Sequence, residues 1–166
     1  MNLSNIFKRN GHDSRAIANI FVEIYNNDNK RLSVITLMNM VYISHGWVLG
    51  YTGKPLISHK VQHWTGGPAI HEVHMSFGHQ RFINQKARIY DPEFGVLPYY
   101  ESNINNDEIE IIARVYDKYS SLNYFDLKDV TTRNGTPWQR HNDMALYSQI
   151  PNKTIENYYK NFIKSN

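Results

Sequence analysis

The chain has 166 residues, 41% of them hydrophobic and 20% charged, with a net charge of +3 and no cysteine. That length is about one domain of chain able to bury its own core, and the composition excludes a disordered or fibrous protein. The lack of cysteine excludes a disulfide framework and thiolate chemistry.

No stretch approaches the ~18 apolar residues of a membrane span. The first twenty residues also lack the uninterrupted apolar run of a signal peptide, so a cytoplasmic protein is expected. The basic excess sits at the N-terminal end, around Lys8, Arg9, Arg15, Lys30 and Arg31, where residues 1–60 carry seven Lys or Arg against three Asp or Glu. A nucleic-acid binder usually concentrates more positive charge than this on one face, which argues against such a partner.

Residues 1–12 mix polar and apolar side chains without a period and are expected to form an N-terminal arm, with residues 13–166 a single domain. Ala16, Ile17, Ile20, Phe21 and Ile24 make the one-sided stripe of an amphipathic helix, which Asp13 or Ser14 is placed to cap. The run Asn26-Asn27-Asp28-Asn29 ends it. A second helix follows Ser33 and carries Leu37, Met40, Val41, Ser44, Trp47, Val48 and Tyr51 at three- and four-residue steps, with Ile35, Met38 and Ile43 on its other faces. A helix apolar on most sides belongs in the middle of a domain. Gly53 and Pro55 supply its stop.

The stretch from Leu56 to Trp64 suits a short extended piece that offers Ile57, Val61 and Trp64 to the core. Gly66-Gly67-Pro68 predicts a turn, with Pro68 in the first turn of a helix that also holds Ile70, Val73 and Phe77. Residues 79–106 are rich in turn formers, and Arg88-Ile89-Tyr90 is the best strand candidate among them. Ile109, Ile112, Ala113, Val115 and Tyr116 predict another helix, residues 124–130 a short one, and Pro137-Trp138 a turn. Ile155, Tyr158, Tyr159 and Phe162 mark the last helix, which starts near Asn152. The expected fold is mainly α, built around a buried central helix with a small β element.

Four segments in this order resemble the Panacea domain of SocA-like antitoxins. They are Asp13-Ser14-Arg15-Ala16-Ile17-Ala18-Asn19; residues 32–47 with Thr52-Gly53-Lys54-Pro55-Leu56 behind them; Trp64-Thr65-Gly66-Gly67-Pro68-Ala69-Ile70; and residues 127–138, with Ile155, Tyr158 and Tyr159 closing the chain. The departures are polar. Thr36 and Asn39 stand where the family usually has lysines, Gly66 where it has an aromatic residue, and His74 where it has a tyrosine; Thr131-Thr132 replaces a Thr-His pair. The resemblance implies a helical protein that neutralises a toxin protein by direct contact and in some relatives delivers it to a protease, with no enzymatic activity known.

The chemistry-bearing residues fit that implication. His71 and His74 lie three apart on a predicted helix, with His59, His63 and His79 nearby, yet their spacing matches no standard pair of metal-ligand clusters. No metal and no cofactor is therefore expected, and the histidines read as the rim of a protein-binding surface. No carboxylate lies within a helical turn of His45, which reads as a buried imidazole satisfied by a backbone group or by Tyr42. Ser44 and Ser76 lack a nucleophile-elbow setting, and Thr65-Gly66-Gly67-Pro68 lacks the Gly-Lys of a phosphate loop. Asp107, Glu108 and Glu110 suit a helix N-terminus. Catalysis is not expected. Trp47, Trp64 and Trp138 read as core residues, with Trp138 alternatively an interface anchor.

Because the polar positions depart while the apolar skeleton stays, the partner surface is expected at Thr36, Asn39, Gly66, Pro68, His71, His74, Thr132 and Trp138. This requires segments distant in sequence to converge. Three partner classes remain open: a toxin protein, a host defence protein met by a phage- or mobile-element-borne inhibitor, and nucleic acid.

Overall fold

The computed structural model describes residues 11–165. Among the described residues, seven helices, 52% of those residues, are joined by two small antiparallel two-stranded sheets, a mainly α fold with a minor β part. Helix α1 (Ser14–Asn27) is capped by Asp13, whose side chain accepts the Arg15 amide, and it ends at the asparagine run. Helix α2 (Val34–Thr52) starts from Ser33, whose hydroxyl accepts the Thr36 amide, and stops at Gly53 in the left-handed conformation (φ 68°) that glycine adopts without a Cβ penalty.

Every residue of α2 from Leu37 to Leu49 is buried, so the central helix is central in fact. Around it lie α1, α4 (Asn106–Tyr119), α5 (Tyr124–Thr132) and α7 (Asn152–Ser165), which pool their apolar faces into one cluster. Trp47 sits in it with Tyr119 at 6.2 Å and Phe162 at 6.4 Å between ring centres. Helix α7 lies closest to α2 because Gly46 and Gly50 leave room for it. A Cβ on Gly46 would run into the Tyr159 ring, and one on Gly50 would lie 2.8 Å from Ile163 Cδ1. Helix α4 starts with a capping box, in which Asn105 accepts the Glu108 amide and Glu108 accepts the Asn105 amide.

Of the expected arm, residues 1–10 lie outside the described residues. His12 is tied into the fold: its amide donates to Leu56 O at 2.7 Å, and its ring bonds Ser102 on one side and Glu108 on the other.

The segment after α2 departs from the sequence expectation. Strands β1 (Gln62–Trp64) and β2 (Gly67–Ala69) form a hairpin that pairs His63 with Pro68, so Pro68 lies in a strand and α3 starts later, at His71, and runs to Phe77. Gly67 at φ 143° turns the chain back before Pro68, whose missing N–H is tolerated on an edge strand. Residues 79–106 hold β3 (Arg88–Asp91) and β4 (Gly95–Tyr99), and Pro137-Trp138 opens α6 (Pro137–Arg140).

Candidate functional site

The β1–β2 hairpin decides where the family-resembling segments meet. Its turn carries Trp64 and Gly66 over the first two turns of α2, and its second strand packs on both α2 and α5. A Cβ on Gly67 would sit 3.2 Å from Thr132 Cγ2, so glycine lets the hairpin lie close against the end of α5. From the other side α6 fixes the hairpin, because the Trp138 indole donates to Trp64 O at 2.8 Å. The Trp64 ring meets His74 edge-on at 5.1 Å and His71 at 6.4 Å between ring centres.

These contacts enclose a groove of about 240 Å³ lined by Val34, Ile35, Met38, Trp64, Pro68 and Tyr124, with Asn39, Gly66 and His74 completing the wall. Its lining is mainly apolar. At its mouth Ile35 and Tyr124 are 42% and 43% exposed, and the neighbouring Phe125 is 77% exposed.

The structure thus brings together most of the residues singled out from the sequence. Asn39, Gly66, Pro68 and His74 line the groove, Thr132 backs Gly67, His71 stands beside Trp64, and Trp138 holds Trp64 from behind. Thr36 does not line it and lies in the capped first turn of α2.

Several expectations need correction. Asn39 is not on an exposed side of α2. It is 6% exposed, and its side-chain oxygen accepts from Thr131 Oγ1 at 3.1 Å, which ties α2 to α5. Trp64 is only half-buried, because the hairpin turn carries it out to the groove wall. Trp138 is half-buried as well. Ile35, Met38, Trp64 and Tyr124 were missed as groove-lining residues because an apolar side chain reads first as core. The one available signal was that α2 is apolar all round, more than its own burial requires.

Of the histidines, His71 and His74 stand at the groove, whereas His45, His59 and His63 are placed elsewhere. His59 accepts from the Ser14 amide at 3.2 Å and fastens the start of α1. His45 is fully buried between the Ile57 amide, which donates to its Nδ1 at 3.3 Å, and Asn152 Oδ1, 2.9 Å from its Nε2; the partner beyond the backbone is Asn152 rather than Tyr42. Burial holds the His45 imidazole down to about 4, against the lesser upward pull of its Asn152 hydrogen bond, so it is neutral at pH 7. His63 is buried in the hairpin and stacked on Trp138 at 4.9 Å. Among the described residues, no group of three or more His, Asp or Glu side chains is placed to hold a metal ion.

A larger, open depression of about 950 Å³ lies between the end of α1 and the β3–β4 ribbon. Polar side chains wall it, among them Glu23 and Lys86, which pair with each other at 3.2 Å. Its character is that of solvated surface, whereas the groove beside Trp64 combines apolar walls with half-exposed aromatic side chains, the combination that anchors protein interfaces.

Comparison with curated proteins and comparison with solved structures return no match to the chain. A family model described as "Antitoxin SocA-like, Panacea domain" matches residues 37–139, from the second turn of α2 to α6, and includes all of the groove except Val34 and Ile35. The match covers well over half of the chain, and the protein belongs to the SocA-like antitoxin family with the Panacea domain.

Proposed function

We propose that this protein neutralises a partner protein by direct contact and that the groove between α2, the β1–β2 hairpin, α3 and α5 takes an apolar side chain of that partner. The observation that carries the reading is the groove itself: about 240 Å³ of mainly apolar space with exposed Ile35 and Tyr124 at its mouth and Phe125 next to Tyr124 in sequence, most of its lining inside the residues that match the family. Its walls are a capped helix, a hairpin pinned at Trp64 O and a buried Asn39–Thr131 hydrogen bond. Such walls lose little conformational freedom on docking, which favours affinity. Delivery of the bound partner to a protease would be a further step of the same function.

A toxin protein is the partner class the family supports. A host defence protein met by a phage-encoded relative is the second reading, favoured by the exchanged polar residues at Thr36, Gly66 and His74. The test co-expresses the protein with the toxic product of a neighbouring gene and scores growth and co-purification. Ile35→Glu with Tyr124→Glu should abolish rescue and capture, while Lys160→Glu with Lys164→Glu on α7 should leave both intact. Both pairs must fold as judged by circular dichroism. Rescue by the first pair, or loss confined to the second, would move the contact surface away from the groove.

A further inference from the structure

Behind the groove, on the far side of Trp138, lies a polar cluster that the proposed function does not use. His63 is 5% exposed, and neither of its ring nitrogens has a hydrogen-bond partner among the described residues. His141 Nε2 and Ser148 Oγ are buried nearby and are also unpartnered. Three different elements supply these groups: β1, the residue that closes α6, and the segment leading into α7.

Backbone pairing brings β1 beside the segment that carries Ser148. The His63 amide donates to Ser148 O at 2.9 Å, and the Tyr147 amide donates to His63 O at 2.8 Å, so His63 opposes the Tyr147-Ser148 step across a short ladder. Tyr147 takes a φ of 66°, uncommon for a residue with a side chain and tolerated only where the surroundings fix it. The His63 and His141 ring centres are 6.2 Å apart.

Four buried polar atoms without partners carry a desolvation cost that ordinary folding avoids. Imidazole nitrogens and a hydroxyl are electron-pair donors. We propose that His63 and His141 form a two-imidazole binding site for a borderline d-block cation such as Zn²⁺ or Ni²⁺, with Ser148 Oγ and solvent completing its coordination.

The separation of the rings suits one shared ion. At a metal–nitrogen distance of ~2.0–2.1 Å, ring centres lie about 6.4 Å apart across a linear site and about 5.2 Å apart across a tetrahedral one. The observed 6.2 Å falls inside that range, and a tetrahedral ion draws the 141–148 segment toward β1. Imidazole ligands select Zn²⁺, Ni²⁺ and Cu²⁺ over Mg²⁺ and Ca²⁺, which require oxygen.

The experiment titrates chelator-treated protein with Zn²⁺ and with Mg²⁺ at pH 7.5, by calorimetry and by histidine-ring NMR. One Zn²⁺ per chain is expected, with the ring signals of both His63 and His141 shifting together and no response to Mg²⁺. His63→Phe, which keeps the stack on Trp138, should weaken Zn²⁺ binding at least ten-fold. His71→Ala with His74→Ala should leave it unchanged and so separates this site from exposed histidines. Unshifted His63 and His141 signals in the wild type overturn the proposal, as does Zn²⁺ binding that survives His63→Phe. If His63→Phe fails to fold, the wild-type ring signals decide alone.

Discussion

Single side chains in this protein are judged by what surrounds them rather than by type. Trp47, Trp64 and Trp138 look alike in sequence. Only Trp47 is core, among Tyr119, Phe162 and the body of α2. Trp47→Ala should cost about 3–5 kcal/mol in urea unfolding, since a cavity of that size cannot be refilled by rigid helices. A variant that unfolds with the wild type would place Trp47 outside the core.

His45 gives the pH dependence. Its folded-state value of about 4 lies below the ordinary 6.5, so the unfolded chain binds the proton first. The stability that the neutral ring contributes is complete above pH 6.5 and is lost as pH falls toward 4. Between pH 7 and pH 5 the loss should be about 2 kcal/mol, read from urea midpoints at the two pH values. His45→Gln cannot take up that proton and should flatten most of the slope. An equal slope in both proteins would assign the acid sensitivity elsewhere, for instance to His63, whose value is lowered in the same direction.

Among the elements, α2 and α7 form the closest pair, and two glycines set their separation. Gly46→Ala should cost about 2–3 kcal/mol, because the methyl group meets an aromatic ring held on both sides and the helices must part. Thermal unfolding followed by circular dichroism would show the drop. An unchanged midpoint would mean that α7 shifts freely along α2. Two helix caps were readable in advance: Asp13 and Ser33 each accept an amide of the first turn, as short polar side chains at those places should, and Asn105 does the same for α4. The β1–β2 hairpin was not readable. A Gly-Gly-Pro turn serves equally as the approach to a helix, and only pairing between His63 and Pro68 decides for a strand.

For the whole molecule, the family match and the folding unit differ in extent. Residues 37–139 contain most of the groove, but α1 and α7, which cover two sides of α2, lie outside them. A fragment of residues 37–139 would expose Val41, Ile43 and Trp47 along α2. It should therefore show no cooperative thermal transition, whereas residues 11–165 should unfold in one step. A cooperative fragment would show that α1 and α7 are accessories rather than part of the core.

The sequence by itself determined most of the helices, the caps of α1 and α2, the buried central helix and the family, because periodicity and short capping motifs act over a few residues and survive exchange of polar side chains. It also brought most of the groove residues to notice, through the segments that resemble the family. Only the tertiary structure decided what those residues do. It buried Asn39 against Thr131, opened Trp64 to solvent and set His63 beside His141. Exposure and partnership belong to side chains from remote segments meeting in space, and a single chain read in order carries no record of which remote neighbours will meet.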